Sequence, residues 1–290
     1  MQEEDKSKNI IEIVPVDLPP TIVCSADKVL QISNFSEEEQ KELNQLVEKY
    51  KNQVEDGVLC IDSDDSLKSI MFADFIECLT KMQISECYNV KFDIAPTNVN
   101  QLYVISCGGK LDGLGQMKQL INLKIRGGSL GDATEIKYLT NLKDLILENN
   151  NIENVEFFRE LKDLETIILE SNTINNFNVQ TLNTLTKLKS LYYGQTQVIS
   201  FEDIKDLRAL EQLYLYKKQI SNLNGVQNLL NLQNLILDYN NIESLVPLKD
   251  IVKLMELSLD SNKIEKLDGL EKMVNLKELH LAQNNNALNH

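Results

Sequence analysis

Apolar residues recur along most of this chain with a fixed period, and this period is the strongest signal in the sequence. Segments that begin at Leu142, Leu232 and Leu254 fit one template, L-x-x-L-x-L-x-x-N-x-I. The second apolar residue of the template falls at 123, 145, 167, 191, 213, 235, 257 and 279, so the period is 22 throughout, with a single step of 24. Self-similarity of this kind predicts a stack of repeated coils.

The template predicts a short strand with one buried face in each unit. In an extended chain, Leu145 and Leu147 point to one side, whereas Asp144, Ile146 and Glu148 point to the other. An asparagine follows three residues after the second strand leucine, where the chain must turn. Its side-chain amide can bond to backbone groups of its own and the neighbouring turn, which predicts a ladder through the stack. The ladder positions are Asn150, Asn172, Asn240, Asn262 and Asn284.

The return half of each unit carries apolar residues spaced by three, as at Ile242, Leu245, Leu248 and Ile251. A spacing of three aligns side chains along one edge of a 3₁₀ turn, and a unit of this length is too short to hold a strand, two turns and a full α-helix. One unit cannot cover its own leucines, so the units must stack through a parallel sheet with strands ~4.8 Å apart.

The repeat pattern divides the chain into three parts. We predict a flexible tail over residues 1–21 and an N-terminal helical segment over residues 22–57. The repeats follow over residues 58–290; they are degenerate over 58–121 and regular over 122–290. Ser36 and Glu39 form a capping-box pattern before an amphipathic stretch, which predicts a helix over 36–54. We interpret this helix as a cap on the first coil, with an exposed partner-binding helix as the alternative.

Some ladder positions depart from the template. Cys107 stands at the asparagine position of a fainter unit whose strand begins at Leu102, and we expect it to be a buried core residue. Thr196, Gly128 and Lys218 also replace the asparagine. A lysine cannot accept hydrogen bonds from backbone donors, so the sequence predicts a locally irregular coil around residue 218.

The template resembles the 22-residue class of leucine-rich repeats, which includes a regulatory subunit of the type-one serine/threonine phosphatase and the bacterial internalins. The resemblance covers residues 99–290 well and 58–98 loosely. It implies an α/β solenoid, a horseshoe or arc with a parallel sheet on the concave side and short 3₁₀ segments on the convex side. Because this class hosts many binding roles, the resemblance implies a fold rather than one function.

Composition narrows the range of functions. The net charge is −15; residues 1–98 contribute −11 and the remainder −4, which argues against binding of nucleic acid. Five cysteines at irregular spacings, with no C-x-x-C pair, favour reduced thiols and therefore a cytoplasmic protein, with the nucleus also possible. The N-terminus has no signal-peptide pattern, and no stretch approaches the ~20 apolar residues of a membrane span.

Candidate chemistry is sparse. The two histidines, His280 and His290, have no partner at a recognisable spacing, and the glycines near Lys110 do not form a phosphate-binding loop. No nucleophile–base pair can be assembled. We therefore expect no enzyme activity, no cofactor, no metal and no small-molecule substrate.

The outward residues of the predicted strands are the candidate binding site. Tyrosines lie at the centre, and carboxylates lie on both sides of them, so the hypothesis is a protein partner held on the concave face, with the tyrosines as anchors and the carboxylates as steering charges. The alternative function is regulation of a serine/threonine phosphatase; a surface adhesin like the internalins is opposed by the missing signal and the cysteines. The candidate residues are Tyr103, Ile146, Glu148, Ile168, Glu170, Tyr192, Tyr214, Tyr216, Ile236, Asp238, Tyr239 and Asp260.

Overall fold

The computed structural model describes residues 99–174, 179–194 and 200–285, together with the backbone of six strands before residue 99. The chain divides into two compact units, unit 1 over Met1–Leu142 and unit 2 over Lys143–His290. The predicted helix over 36–54 lies outside the described residues. Among the described residues, we find no helix with the length and apolar character that crossing a bilayer requires.

Unit 1 contains nine described strands. They are β1 Ile10–Ile13, β2 Ile22–Cys24, β3 Val29–Ile32, β4 Gly57–Asp62, β5 Leu79–Ser85, β6 Tyr88–Lys91, β7 Gln101–Ile105, β8 Gly108–Asp112 and β9 Asn122–Arg126. Seven of them lie side by side in the order β9-β7-β5-β4-β3-β1-β2, and β6 pairs with β8 in a separate two-stranded sheet. All these pairs are parallel except β1 with β2.

The N-terminal strands differ from the sequence prediction. β1 lies within the stretch 1–21 that was predicted to be a flexible tail, and it pairs in parallel with β3, with Ile10 opposite Val29. The run Ile10-Ile11-Glu12-Ile13 is rich in β-branched residues, which favour strands. The domain boundaries themselves stay a prediction.

Unit 2 is a series of seven parallel strands. They are β10 Asp144–Glu148, β11 Thr166–Ile168, β12 Ser190–Tyr192, β13 Gln212–Tyr214, β14 Asn234–Ile236, β15 Glu256–Ser258 and β16 Glu278–His280. Each strand pairs with the next so that equivalent template positions are opposite each other; Leu191, Leu213 and Leu235 are such partners. The longer step between Ile167 and Leu191 leaves this register unchanged, so the two extra residues are accommodated outside the strands.

The return segments are short 3₁₀ turns, as the spacing of three predicted. They span Leu114–Gln116 and Thr134–Tyr138 in unit 1, and Glu156–Glu160, Val179–Thr184, Phe201–Asp203, Val226–Asn228 and Val246–Leu248 in unit 2. The inward strand residues and the apolar residues of these turns are buried together; Leu213, Leu223 and Leu229 are each 0% exposed. The predicted architecture of parallel strands and tight returns around a leucine core is confirmed.

The predicted asparagine ladder is present, and it joins neighbouring coils. Asn240 Oδ1 accepts hydrogen bonds from the backbone N–H groups of Lys218 (2.9 Å) and Ile220 (3.0 Å) in the preceding coil. Asn240 Nδ2 donates to the carbonyl oxygens of Leu215 and Leu237, each at 2.8 Å. Asn172, Asn262 and Asn284 make the corresponding bonds: Oδ1 accepts from the coil before, and Nδ2 donates to a carbonyl oxygen of the same coil.

Cys107 occupies its ladder position as a buried residue, 3% exposed. Its thiol donates to the carbonyl oxygen of Ile105 at 3.4 Å, two residues earlier in the chain. Asn150 Nδ2 makes the same type of bond to the carbonyl oxygen of Glu148. The thiol therefore replaces the amide inside its own turn, and its assignment as a core residue is confirmed.

Lys218 behaves differently from the prediction. The strands on both sides of it keep the regular register, and its backbone N–H donates to Asn240 Oδ1, as that of Asn150 donates to Asn172 Oδ1. The lysine side chain is 1% exposed, and its Nζ lies 3.8 Å from the ring centroid of Tyr193. The coil stays regular because the next asparagine serves its donors, while the amine is held over an aromatic ring.

We predict that Asn240→Ala lowers the free energy of unfolding by about 2–4 kcal/mol. The change leaves two buried backbone N–H groups without acceptors, and each such group costs ~1–3 kcal/mol. Urea denaturation followed by circular dichroism measures the loss. Asn224→Ala, at an exposed position, is the control and should change stability by less than about 0.5 kcal/mol. Equal losses in the two variants would contradict the ladder's role.

We predict that Lys218→Met stabilises the protein at pH 7 by on the order of 2 kcal/mol, because a buried amine that has no hydrogen-bond partner among the described residues is replaced by an apolar side chain. Burial lowers the pKa of Lys218 to about 8 from the ordinary 10.5. Between these values the unfolded chain holds a proton that the folded chain has released, so wild-type stability rises with pH across this window. The difference in Tm between wild type and variant should therefore shrink from pH 7 to pH 10; a constant difference would contradict a buried, titrating amine.

Candidate partner-binding surface

The parallel register of unit 2 turns the alternate strand residues into columns on its outward face. The central column runs along Ile146, Ile168, Tyr192, Tyr214, Ile236, Ser258 and His280, which are successive partners in the strand pairing. A second column follows two residues later with Glu148, Glu170, Gly194, Tyr216, Asp238, Asp260 and Ala282. Backbone bonds beyond the strand ends, such as Leu215 N–H to the carbonyl oxygen of Ile236, keep this second column aligned.

Two tyrosines form a stacked pair at the centre of the face. The ring centroids of Tyr192 and Tyr214 are 3.9 Å apart, and the rings are 12° from parallel. The Tyr192 hydroxyl donates to Gln212 Oε1 at 3.0 Å, and the Ser190 hydroxyl donates to the same oxygen at 3.1 Å. Because both rings are fixed by stacking and Tyr192 also by a hydrogen bond, they form a rigid, half-buried aromatic surface.

Tyr216 lies over the backbone of Gly194 on the adjacent strand end. A Cβ atom added at Gly194 would be 2.8 Å from the Tyr216 hydroxyl oxygen and 3.0 Å from Cζ. The missing side chain at residue 194 is therefore what lets the end of the Tyr216 ring lie over this glycine, just beyond β12. Together, Tyr192, Tyr214 and Tyr216 form what we call the tyrosine cluster.

The phenols of Tyr214 and Tyr216 are biased toward the neutral form. Burial, and then a hydrogen bond with Tyr192, raises the pKa of Tyr214. Burial also raises the pKa of Tyr216, with a further contribution from the negative charge of Glu170. Tyr214 and Tyr216 therefore offer aromatic faces and neutral hydroxyl groups, rather than phenolate charges, at physiological pH.

The carboxylates at the β14–β16 end also hold the coils together. Asp238 Oδ1 accepts hydrogen bonds from the Ser258 hydroxyl at 2.7 Å and from the Asp260 backbone N–H at 2.8 Å. Asp260 Oδ1 accepts from the Ala282 backbone N–H at 2.6 Å. Asp238 and Asp260 therefore have a structural role that strand alternation did not reveal. The steering role of these two carboxylates stays a prediction from the sequence.

Tyr103 and Tyr239 lie apart from the tyrosine cluster. Tyr103 belongs to β7 in unit 1, where its hydroxyl donates to Gln101 Oε1 at 3.2 Å. Tyr239 follows the second column in a left-handed turn conformation, with φ of 58°, and is 56% exposed. Lys217 Nζ lies 5.4 Å from the Tyr239 ring centroid. The other predicted residues occupy the two columns of unit 2.

Solved structures resemble this chain over most of its length. Internalin C2 of Listeria monocytogenes is 28% identical, with a TM-score of 0.56 over 60% of this chain and 76% of that one. A leucine-rich repeat protein of Leptospira interrogans is 22% identical, with a TM-score of 0.57 over 82% and 75% of the two chains. The ectodomain of the Arabidopsis receptor kinase HAESA is 22% identical, with a TM-score of 0.58 over 65% and 35%. No family model matches the sequence, and no curated protein matches it.

The fold is that of the leucine-rich repeat proteins. In this fold, the inward positions of each repeat are occupied by the leucine core, so the outward positions are free to vary from one repeat to the next. The sequence also resembles the repeats of the phosphatase regulatory subunit, and membership of that type of leucine-rich repeat stays a prediction.

The predicted binding site left out a third outward column, which precedes the first strand leucine of each repeat. Its residues are Asp144, Thr166, Ser190, Gln212, Asn234, Glu256 and Glu278. The period-two alternation that gives the other two columns also identifies these positions, so this column could have been predicted from the sequence. Gln212 is the most important of them for the surface, because it connects β12 to β13 through Ser190 and Tyr192.

The last two strands bring together groups of the kinds that ligate metals. Ligand atoms of Glu256, Glu278 and His280 all lie within 4.8 Å of one another, and they are the one such group among the described residues. Asn234 Nδ2 donates to Glu256 Oε2 at 2.5 Å. His280 Nε2 is 3.9 Å from Glu278 Oε2, and both side chains are exposed. This group makes the β15–β16 end of the outward face acidic.

We predict that Gly194→Ala displaces the Tyr216 ring and changes the free energy of unfolding by less than about 1 kcal/mol. The new methyl group meets the far end of a side chain, which can rotate away. The crystal structure and urea denaturation of the variant check the two parts of the prediction. Gly225→Ala is the contrasting change: its Cβ would lie 2.5 Å from the backbone of Phe201, and its φ is 101°, so we expect a much larger loss. A Tyr216 ring that stays in place would contradict the contact.

Proposed function

We propose that this chain is a non-enzymatic protein-interaction module and that unit 2 holds a partner protein on the outward face of β10–β16, the face that the sequence predicted to be concave. The observation that carries the proposal is the tyrosine cluster. Three aromatic side chains converge on two adjacent strands, and their positions are fixed by stacking, by Gln212 and by the space above Gly194. Rigid aromatic side chains of this kind are enriched at the centres of protein interfaces.

The neighbours of the cluster fit the same role. Ile168 and Ile236 lie beside Tyr192 and Tyr214 in the central column, so four apolar or aromatic side chains follow one another across β11–β14. All four are half-buried while their neighbours in the third column are polar. An apolar centre with a polar margin is the usual composition of a recognition surface.

The structural neighbours support a protein or peptide partner. The HAESA ectodomain was solved in complex with a peptide hormone ligand, and a plant receptor of similar fold, RGFR1, was solved in complex with RGF2. The two receptors are 22% and 17% identical to this chain, so each likeness concerns the fold. They support the class of function, and the choice of face and of anchor residues rests on the tyrosine cluster.

The competing proposal is a location at the cell surface. The similarity to internalin C2 favours it. The cytoplasmic location stays a prediction from the cysteines. Fractionation of cells of the source organism separates the two. Protein in the soluble intracellular fraction supports the cytoplasm, and protein at the surface or in the medium supports an internalin-like role.

We predict that the double change Tyr214→Ala and Tyr216→Ala abolishes partner capture and leaves the fold intact. It removes two of the three aromatic anchors, and truncation of an anchor typically costs ~2 kcal/mol or more of binding free energy. Affinity purification with mass spectrometry, from extracts of the source organism, identifies the partner and measures its loss.

The matched control is Tyr138→Ala, which removes a 51% exposed tyrosine of unit 1 from a 3₁₀ turn. This variant should capture the partner as the wild type does. Circular dichroism and urea denaturation confirm that every variant is folded. If the folded double variant captured the same partner in the same amount as wild type, the tyrosine cluster would not be the binding site.

A further inference from the structure

The three outward columns of unit 2 carry charge of only one sign, and Lys217 lies just beyond them, over the Tyr239 ring. These three columns contain seven carboxylates, one in every three positions, and neither lysine nor arginine. The carboxylates are Asp144, Glu148, Glu170, Asp238, Glu256, Asp260 and Glu278. The repeat region from residue 99 onward has a net charge of only −4, so this excess belongs to the face and does not follow from the composition of the repeats.

The carboxylates leave a gap at the tyrosine cluster. β12 and β13 carry no acidic residue in any of the three columns, whereas the second column is acidic on both sides, with Glu148 and Glu170 at one side and Asp238 and Asp260 at the other. The hydrogen bonds of Asp238 and Asp260 to the next coil use Oδ1 of each carboxylate. Both side chains are half-buried, so part of each carboxylate is exposed on the face.

The negative potential reaches the tyrosines from both sides. The charge of Glu170 contributes to the raised pKa of Tyr216, and the charge of Glu256 contributes to the raised pKa of Tyr214. A cation placed on the aromatic surface would therefore be attracted by carboxylates on either side as well as by the rings.

The spacing between the two acidic sides fixes the spacing of the complementary charges. Glu170 follows β11 and Asp238 follows β14, so three interstrand steps of ~4.8 Å separate them, about 14 Å in total. An extended peptide that crosses the strands advances ~3.3 Å per residue. Two cationic side chains that reach Glu170 and Asp238 are therefore about four residues apart, and the residues between them lie over the tyrosine cluster.

Arginine fits these positions better than lysine. Its planar guanidinium group can lie against a tyrosine ring and can donate two parallel hydrogen bonds to one carboxylate. A lysine ammonium group is a compact, strongly hydrated charge that gains less from an aromatic surface. The stacked rings and the nearby carboxylates together favour the planar cation.

We propose that the partner segment bound by this face is extended and carries two arginines about four residues apart, with apolar residues between them. The arginines pair with the carboxylates on the two sides of the tyrosine cluster, and the apolar residues pack on the cluster and on Ile168 and Ile236. This inference rests on the proposed function, since it specifies the chemistry of the partner for the same face.

The test uses the full chain and a fluorescent synthetic peptide with arginines at positions i and i+4 and leucines between them. Fluorescence anisotropy at 50 and 300 mM NaCl measures its affinity. We expect binding that weakens at least fivefold at the higher salt concentration, at least tenfold weaker binding when glutamine replaces both arginines, and severalfold weaker binding with lysine. Equal affinity of the arginine and glutamine peptides overturns the proposal, and equal affinity of the arginine and lysine peptides overturns the choice of arginine.

Protein variants locate the binding site. The double change Glu148→Gln and Glu170→Gln should weaken the arginine peptide at least tenfold, whereas Glu153→Gln with Glu160→Gln, which removes two exposed charges away from the three columns, should leave it unchanged. Thr166→Lys adds a positive charge to the face without removing a carboxylate, and it should also weaken binding. This variant tests the charge requirement if the glutamine variant proves unstable. Equal affinity of Thr166→Lys and wild type overturns the assignment.

The proposed function and this inference can fail separately. If the tyrosine variant loses its captured partner while the glutamine variant keeps that partner and the arginine peptide at wild-type affinity, the binding surface stands and the arginine assignment falls. The opposite result is that the arginine peptide binds, its affinity depends on the carboxylates, and the Tyr214→Ala, Tyr216→Ala variant still captures the same partner. The face then binds arginine peptides, but the captured partner binds elsewhere and the proposed function is wrong.

Discussion

A single repeat of this chain cannot bury its own leucines, and the rest of the structure follows from that constraint. The leucines become buried when coils stack and the strands pair in parallel. The coils stay aligned because four ladder asparagines, beginning with Asn172, accept from the backbone of the coil before them. Asn240, Asn262 and Asn284 all accept in this way. The hydrophobic core and the buried hydrogen bonds of the side-chain amides therefore both require the same alignment of neighbouring repeats. A shift of strand register would disrupt both.

The outward face is the consequence of this alignment. Because the inward positions are occupied by the core, side chains of equivalent outward positions lie next to each other on neighbouring strands. A change of residue type at these positions in two or three successive repeats therefore gives one part of the face its own chemical character. Tyr192 and Tyr214 belong to successive repeats and are far apart in the chain, yet their rings stack. Asp238 and Asp260 show that an outward side chain can also bond to the next coil, so the acidic character of the face and the cohesion of the repeats are coupled.

Much of this could be predicted from the sequence, because the constant repeat period fixes which side of the strand each residue occupies. The positions of strands β9–β16, the 3₁₀ returns and the ladder followed from it, as did the columns on which the predicted site lies, whereas β1, β2 and β3 lie outside the repeat pattern and did not. The direction of each side chain within a column did not. Nothing in the alternation shows that Tyr216 lies over Gly194 or that Lys218 finds the ring of Tyr193, because both contacts depend on the shape of a neighbouring coil.

Amide hydrogen exchange in unit 2 tests the stacking of coils most directly. The N–H groups of Ile220, Ile242 and Ile264 lie beyond the strands, in turns, and each donates to the asparagine of the next coil. If the ladder joins the coils, these amides exchange as slowly as those of the strand leucines, since both open only when neighbouring coils separate. Exchange as fast as that of the exposed amides in the same turns would contradict a structure held together between coils.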